Sequence, residues 1–282
     1  MVSTSATADA ATQTRHANFK PGVPRGRLLV SFTSTLAGLF TAAVLSASAL
    51  ADDADSLKAK LESAMADESR PEADRERDAN RQPVETLTFF GLRDDMKVVE
   101  LIPGGGWYTR LLAPVLADKG ELYVAFGTTR VESQLIGKPG FDKIKVLGKS
   151  AELGPVEGSR FYFAKNTDLG VKNVDIVFTF RNYHNFDEAS RDNINRSAFK
   201  ALKSGGIYAV VDHTRRHMQA LDNENGRRVD PVLAIKEIQA AGFEFVDYSD
   251  LHYRPDDELR YEVGRHSVTG NTDRWTLKFR KP

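Results

Sequence analysis

Three short segments carry residues whose types and spacing suit chemistry. The first is Glu100-Leu101-Ile102-Pro103-Gly104-Gly105-Gly106, an acid followed by three adjacent glycines. Glycine permits backbone angles and a close ligand approach that a side chain forbids. A strand–turn–helix of this kind also aims free N–H groups, at the positive end of a helix dipole, above the strand. An acid at the end of an apolar run is costly unless exposed or hydrogen-bonded. The second segment is Arg181-Asn182-Tyr183-His184-Asn185-Phe186, whose imidazole can take a proton near neutral pH. The third is Asp212-His213, with His217 beyond it. His184, Asp212, His213 and His217 together are of metal-ligating type, but the spacing of His213 and His217 forces no compact pair, and no metal site is expected.

The surrounding sequence positions these segments. Val98, Val99, Leu101 and Ile102 read as a strand buried on both faces, and Thr109, Leu111, Leu112 and Val115 follow at helical spacing. Glu121–Phe126 is a second strand. Phe141–Leu147 and Arg160–Ala164 supply a third, in one or both. Val174–Phe180 is a strong buried strand leading into RNYHNF, and Asp187 is placed to cap a helix over Glu188–Lys203. Strand Ile207–Val211, helix Pro231–Ala241 and strands Phe243–Tyr248 and Arg274–Arg280 complete the order. Strands alternating with helices argue for right-handed βαβ units. In such a sheet, ligands bind beyond the carboxyl ends of the strands, where strand order reverses. PGGG and RNYHNF should therefore face one crevice.

The Met96–Val115 stretch resembles the first motif of class I S-adenosylmethionine-dependent methyltransferases, with Glu100 at the acidic position and Gly104 and Gly106 at later glycines. Ile102 and Pro103 stand where a glycine and a small residue are usual. LKSGGIYAVVDH, residues 202–213, is similar to the run before that family's fifth strand. The resemblance covers about the last two hundred residues. It implies a doubly wound, mostly parallel seven-stranded Rossmann-like α/β sheet closed by a hairpin, preceded here by a helical extension. It further implies S-adenosylmethionine as cofactor, with Glu100, Pro103, Gly104, Gly105, Gly106, Tyr108, Thr109, Asp168 and Arg181 around it, Asp168 lying where the family's loop meets the adenine. On this reading His184 is the base, Asn182 bonds the cofactor's amino acid part or the substrate, Tyr183 stacks on or covers it, and Asp212 and His213 meet the substrate. One departure stands out: the second strand ends in Phe126, where the family has the acid that bonds the ribose.

Composition bounds the function further. The 282 residues carry 39 acidic and 39 basic side chains, which argues against a nucleic-acid partner met through a broad basic face. With no cysteine, thiolate catalysis and zinc–thiolate sites are excluded. Arg25 and Arg27, the apolar run Leu28–Leu45 and the Ala49-Leu50-Ala51 ending describe a secretory signal peptide cleaved after Ala51. The expected organisation is a signal segment with a polar extension over 1–51, a helix and charged connector over 52–82, and the methyltransferase-like domain over 83–282. The connector's charge density reads as solvated chain; the alternative is that its Arg75, Arg77 and Arg81 line the mouth of a site, with Arg227, Arg228 and Asp230 either closing its far side or standing as plain surface charge. The expected function is methyl transfer to a small molecule or envelope component by a periplasmic or secreted enzyme without lasting membrane insertion. The alternatives are an exported binding protein that keeps the fold without catalysis, and hydrolytic or metal-dependent chemistry on the His/Asp rim.

Overall fold

The computed structural model describes residues 55–282; the signal segment and its cleavage site lie outside the described residues. Helix α1 spans residues 55–66 and turns the Leu57 and Leu61 stripe inward. Two single-turn helices follow, α2 (Glu72–Arg75) and α3 (Asp78–Arg81), then α4 (Pro83–Phe90). Proline opens α4, and Gly91 ends it at φ 81°, a left-handed cap that glycine adopts without strain.

Strand β1 (Lys97–Leu101) leads through the glycine turn into α5 (Thr109–Leu116). Then come β2 (Glu121–Ala125), α6 (Thr129–Gln134), β3 (Lys145–Leu147), β4 (Glu152–Pro155) and β5 (Tyr162–Lys165). Strand β6 (Val174–Phe180) passes through a 3-10 turn, Tyr183–Asn185, into α7 (Glu188–Ala201). The chain ends with β7 (Leu202–His213), α8 (Pro231–Ala240), β8 (Glu244–Ser249) and β9 (Arg274–Arg280). Asp187 caps α7 by accepting from the Ser190 amide at 2.8 Å.

Seven strands form one sheet in the order β3-β2-β1-β6-β7-β9-β8. The first five are parallel; β9 runs antiparallel to both β7 and β8, giving the closing hairpin. Strand order reverses between β1 and β6, so their carboxyl ends border one crevice. Val98, Ile176 and Phe178 pack with α4 and α5 on one face, while Val177, Tyr208 and Val210 pack with α7 and α8 on the other.

Three local expectations differ. Only Lys145–Leu147 of the third-strand region joins the large sheet; Tyr162–Lys165 pairs antiparallel with Glu152–Pro155 in a separate ribbon. Strand β7 begins at Leu202, five residues before Ile207, with a register shift against Val174/Ile176 that absorbs Ser204-Gly205-Gly206. The charged connector is ordered and docked: Trp107 donates its indole N–H to the Asp74 carbonyl at 2.8 Å, and Arg274 donates to the Asn80 carbonyl at 2.8 Å. Among the described residues, no helix is long and apolar enough to cross a membrane.

Candidate active site

The crevice between β1 and β6 opens into a cleft of about 400 Å3, within the range of small-molecule sites. It is lined by the glycine turn and the ends of both strands, by Trp107 and Tyr108, and by the connector packed against Trp107, through Pro71, Asp74, Arg77 and Arg81. PGGG and Arg181-Asn182 therefore meet in space. Asn182 fastens the two strand ends together, donating from Nδ2 to the Ile102 carbonyl at 3.1 Å and the Phe180 carbonyl at 3.0 Å.

The strands stop at this rim in an unusual way. Ile102 after β1, Phe126 after β2 and Arg181 after β6 take φ of 53°, 65° and 62°. Non-glycine residues avoid this left-handed region, a β-branched one most of all. Such strain persists only where the surroundings over-determine it, and it clusters at functional sites. Ile102 thus keeps the backbone geometry that a glycine would supply freely. Gly104 and Gly106 follow at φ 57° and 82°. A Cβ on Gly104 would meet no atom within 4 Å, whereas one on Gly106 would lie 2.6 Å from Leu135 Cδ1. Gly104 leaves space for a ligand; Gly106 lets the turn pack on α6. The amides of Gly104 and Gly105 donate to no backbone carbonyl of the described residues.

Glu100 lines the cleft yet is only 3% exposed. Thr109 Oγ1 donates to its Oε2 at 2.6 Å. Burial pushes its pKa up to about 7, against the pull of the Thr109 hydrogen bond and nearby Arg81. Tyr108 stacks flat on Phe180, with centroids 3.6 Å apart. Arg81 lies over the Trp107 ring, its guanidinium carbon 4.4 Å from the centroid. Arg110 donates to the Gly105 carbonyl at 2.6 Å and reaches Asp74 at 3.4 Å.

Most expected ligand residues converge here: Glu100, Pro103, Gly104, Gly105, Tyr108, Arg181 and Asn182 line the cleft, with Gly106 and Thr109 directly behind. Asp168 does not. It pairs with Lys200, at the α7 end that precedes β7, and accepts from the Gly170 amide at 2.9 Å, so it lies toward the amino ends of the strands. Tyr183 does not cover the cleft either. Its hydroxyl donates to Glu237 of α8 at 2.7 Å and its ring meets Trp275 edge-on, behind the sheet rim.

His184, Asp212 and His213 form a buried layer one step back from the cleft. The Asp212 carboxylate accepts from the His184 amide at 2.9 Å, from His184 Nδ1 at 2.6 Å and from the His213 amide at 2.6 Å. His184 borders a separate cavity of about 260 Å3 with Phe161, Asp187 and Arg215. His213 Nε2 accepts from Arg181 Nε at 3.2 Å, which leaves its Nδ1–H to donate to Thr272 Oγ1 at 2.9 Å. Burial and surrounding cations hold His213 well below the usual histidine pKa, hence neutral. The expected contact of this histidine with substrate is thus replaced by one with Arg181, which does reach the cleft. The described residues contain no group of three or more side chains fit to hold a metal.

Of the connector arginines, Arg77 and Arg81 line the cleft and Arg75 does not. Arg228 is wholly buried in a bidentate pair with Asp257, Arg227 pairs with Glu262, and Asp230 caps α8, so none of these closes the crevice. Trp107, Arg110 and Arg130 are cleft residues that sequence reasoning missed. Trp107 stands directly after the glycines, and a large aromatic there was the available signal; Arg130 had none. Phe126 is buried and borders a second depression of about 330 Å3 beyond β2 and β3, where Glu132 is the lone lining carboxylate.

No protein-family model and no curated protein matches the chain. Solved structures of similar shape include a SAM-dependent methyltransferase from Aquifex aeolicus, 14% identical over 72% of this chain and 91% of that one, with a TM-score of 0.47. The [4+2]-cyclase SpnF is 15% identical over 76% and 85%, also at 0.47. Human N-acetylserotonin methyltransferase in complex with SAM is 12% identical over 79% of this chain and 55% of that one, again at 0.47.

Proposed function

We propose that the β1/β6 cleft binds S-adenosylmethionine and that the protein transfers its methyl group to a small-molecule acceptor outside the cytoplasm. The observation that carries this reading is the cradle itself: left-handed strand ends, an open Gly104 and a buried carboxyl meet at the reversal point of the sheet. The residues present fit the amino acid end of the cofactor. Glu100 suits its ammonium, and the Gly104 and Gly105 amides, beside the start of α5, suit its carboxylate. Tyr108, stacked on Phe180, and Trp107 wall the cleft with aromatic faces. When bound, the cofactor supplies the methyl as a sulfonium, whose electron pair returns to sulfur as the new bond forms. The chain's own work is orientation and exclusion of water. Asn182 locks the two rims, and Arg181, braced by neutral His213, faces the space beside the turn. His184 borders a different cavity and is not placed to take the acceptor's proton in this cleft. Export rests on the Arg25–Ala51 leader pattern.

A second reading keeps ligand binding without methyl transfer. Phe126 favours it, because no carboxylate stands at the end of β2 to hold a ribose. Incubation with methyl-labelled cofactor and an extract of anionic and neutral small molecules separates the two. Label passing to a product supports transfer; no labelled product, with no heat of cofactor binding at millimolar concentration, supports the second reading.

A further inference from the structure

The charge of the cleft is not balanced. Five arginines line it (Arg77, Arg81, Arg110, Arg130 and Arg181) against two carboxyls. Asp74 is already shared by Arg77 and Arg110, and Glu100 titrates near neutrality. Arg81 is 8% exposed and makes no ion pair with any described residue, and its Nε is buried without a hydrogen-bond partner. The Arg181 side chain hydrogen-bonds only the neutral His213, through Nε, and the nearest carboxylate acting on it, Asp212, lies behind that histidine and is held by the His184 and His213 amides. Behind them Arg274, 3% exposed, reaches the Asn80 and Thr272 carbonyls but no carboxylate. Burial and mutual repulsion pull Arg81 down to about 9 and Arg274 to about 10. Unpaired buried cations are costly, and proteins keep them where a ligand completes the pairing.

Resting on the cofactor reading, a second consideration follows. S-adenosylmethionine is itself a net cation, and its single carboxylate cannot neutralise this cluster. We infer that the substrate of this cleft is an anionic small molecule whose oxyanion, a phosphate or a carboxylate, sits between Arg81 and Arg181 with Arg274 behind them. Arg81 lines the cleft with its guanidinium carbon 4.4 Å from the Trp107 centroid and no carboxylate partner, and a guanidinium can meet an oxyanion bidentately.

Inorganic phosphate is the probe, titrated calorimetrically into the full chain with and without saturating S-adenosylhomocysteine. Wild type is expected to bind phosphate in the presence of S-adenosylhomocysteine, Arg81→Gln to weaken phosphate at least about tenfold while holding S-adenosylhomocysteine within about twofold, and Arg181→Gln to weaken phosphate by a similar factor. Melting curves guard against misfolding: Arg81→Gln removes an unpaired buried charge, so it should melt no lower than wild type without phosphate, and added phosphate should raise only the wild-type midpoint. Phosphate competing with S-adenosylhomocysteine, together with an Arg81→Gln protein that loses S-adenosylhomocysteine but still binds 5′-methylthioadenosine, would assign the arginines to the cofactor's carboxylate and overturn the inference. So would a wild type that binds S-adenosylhomocysteine but no phosphate at tens of millimolar. Phosphate binding lost in both variants, with no adenosyl ligand bound by wild type, would leave the anion site standing and remove the cofactor reading instead.

Discussion

Replacing Glu100 with glutamine separates the charge of this buried carboxyl from its shape. Burial lifts its pKa from 4.5 in the unfolded chain to about 7 in the native cleft. Each unit is worth about 1.4 kcal/mol, so ionising Glu100 costs the fold about 3 kcal/mol once pH exceeds 7. Between 4.5 and about 7 the native state keeps a proton that the unfolded chain has released. Stability therefore falls as pH rises through that window, the reverse of an ion-paired carboxylate. Glutamine is neutral throughout and can still accept from Thr109. Urea unfolding of wild type and Glu100→Gln between pH 4.5 and 8.5 isolates this contribution. The stability of the variant relative to wild type should climb by about 3 kcal/mol across the window, with most of the change between pH 5 and 7. A difference that stays flat with pH would mean that Glu100 titrates like a solvated carboxyl, and the account of the cleft floor would fail.

Gly106→Ala should destabilise by about 2–4 kcal/mol, from a left-handed backbone carrying a Cβ and its overlap with Leu135; a loss below about 0.5 kcal/mol in urea unfolding contradicts the packing described. Asp212→Ala strips three buried donors of their acceptor and should cost about 3–5 kcal/mol in thermal unfolding. A near-neutral effect would mean that Asp212 does not anchor the layer behind the cleft. His184→Asn should leave cofactor affinity within about twofold, because the side chain borders a different cavity; a tenfold loss measured by calorimetry would return His184 to the cleft. Cofactor affinity itself should rise with pH through about 7, as Glu100 gains the charge that an ammonium prefers. An affinity independent of pH there would detach the ammonium from Glu100.

The sheet was legible because its strands are apolar on both faces and its helices begin and end on readable caps: Pro83 and Gly91 bound α4, and Asp187 opens α7. The meeting of PGGG with Arg181-Asn182 followed from strand order alone. What sequence could not convey was direction. RNYHNF turns as it leaves β6, so Arg181 and Asn182 face the cleft while Tyr183 and His184 face α7, α8 and the layer around Asp212. Asp168 follows the β4–β5 ribbon, whose antiparallel pairing carries that loop away from the β1 rim. The connector misled in the opposite sense. Its charge density reads as solvated chain, yet Asp74 pairs with Arg110 of α5 and Arg81 lies over Trp107, next to the glycine turn. Charge that is matched by a partner far along the chain cannot be told from charge that faces water by spacing alone.

The central claim is that the β1/β6 cleft is the S-adenosylmethionine site. Titration of the cofactor into the protein while following Trp107 fluorescence tests it most directly, with a Trp275→Phe background so that one indole reports. Saturable quenching at micromolar cofactor, matched by calorimetric heat of the same affinity, is the predicted result. An unchanged Trp107 signal and no heat at millimolar cofactor would contradict it.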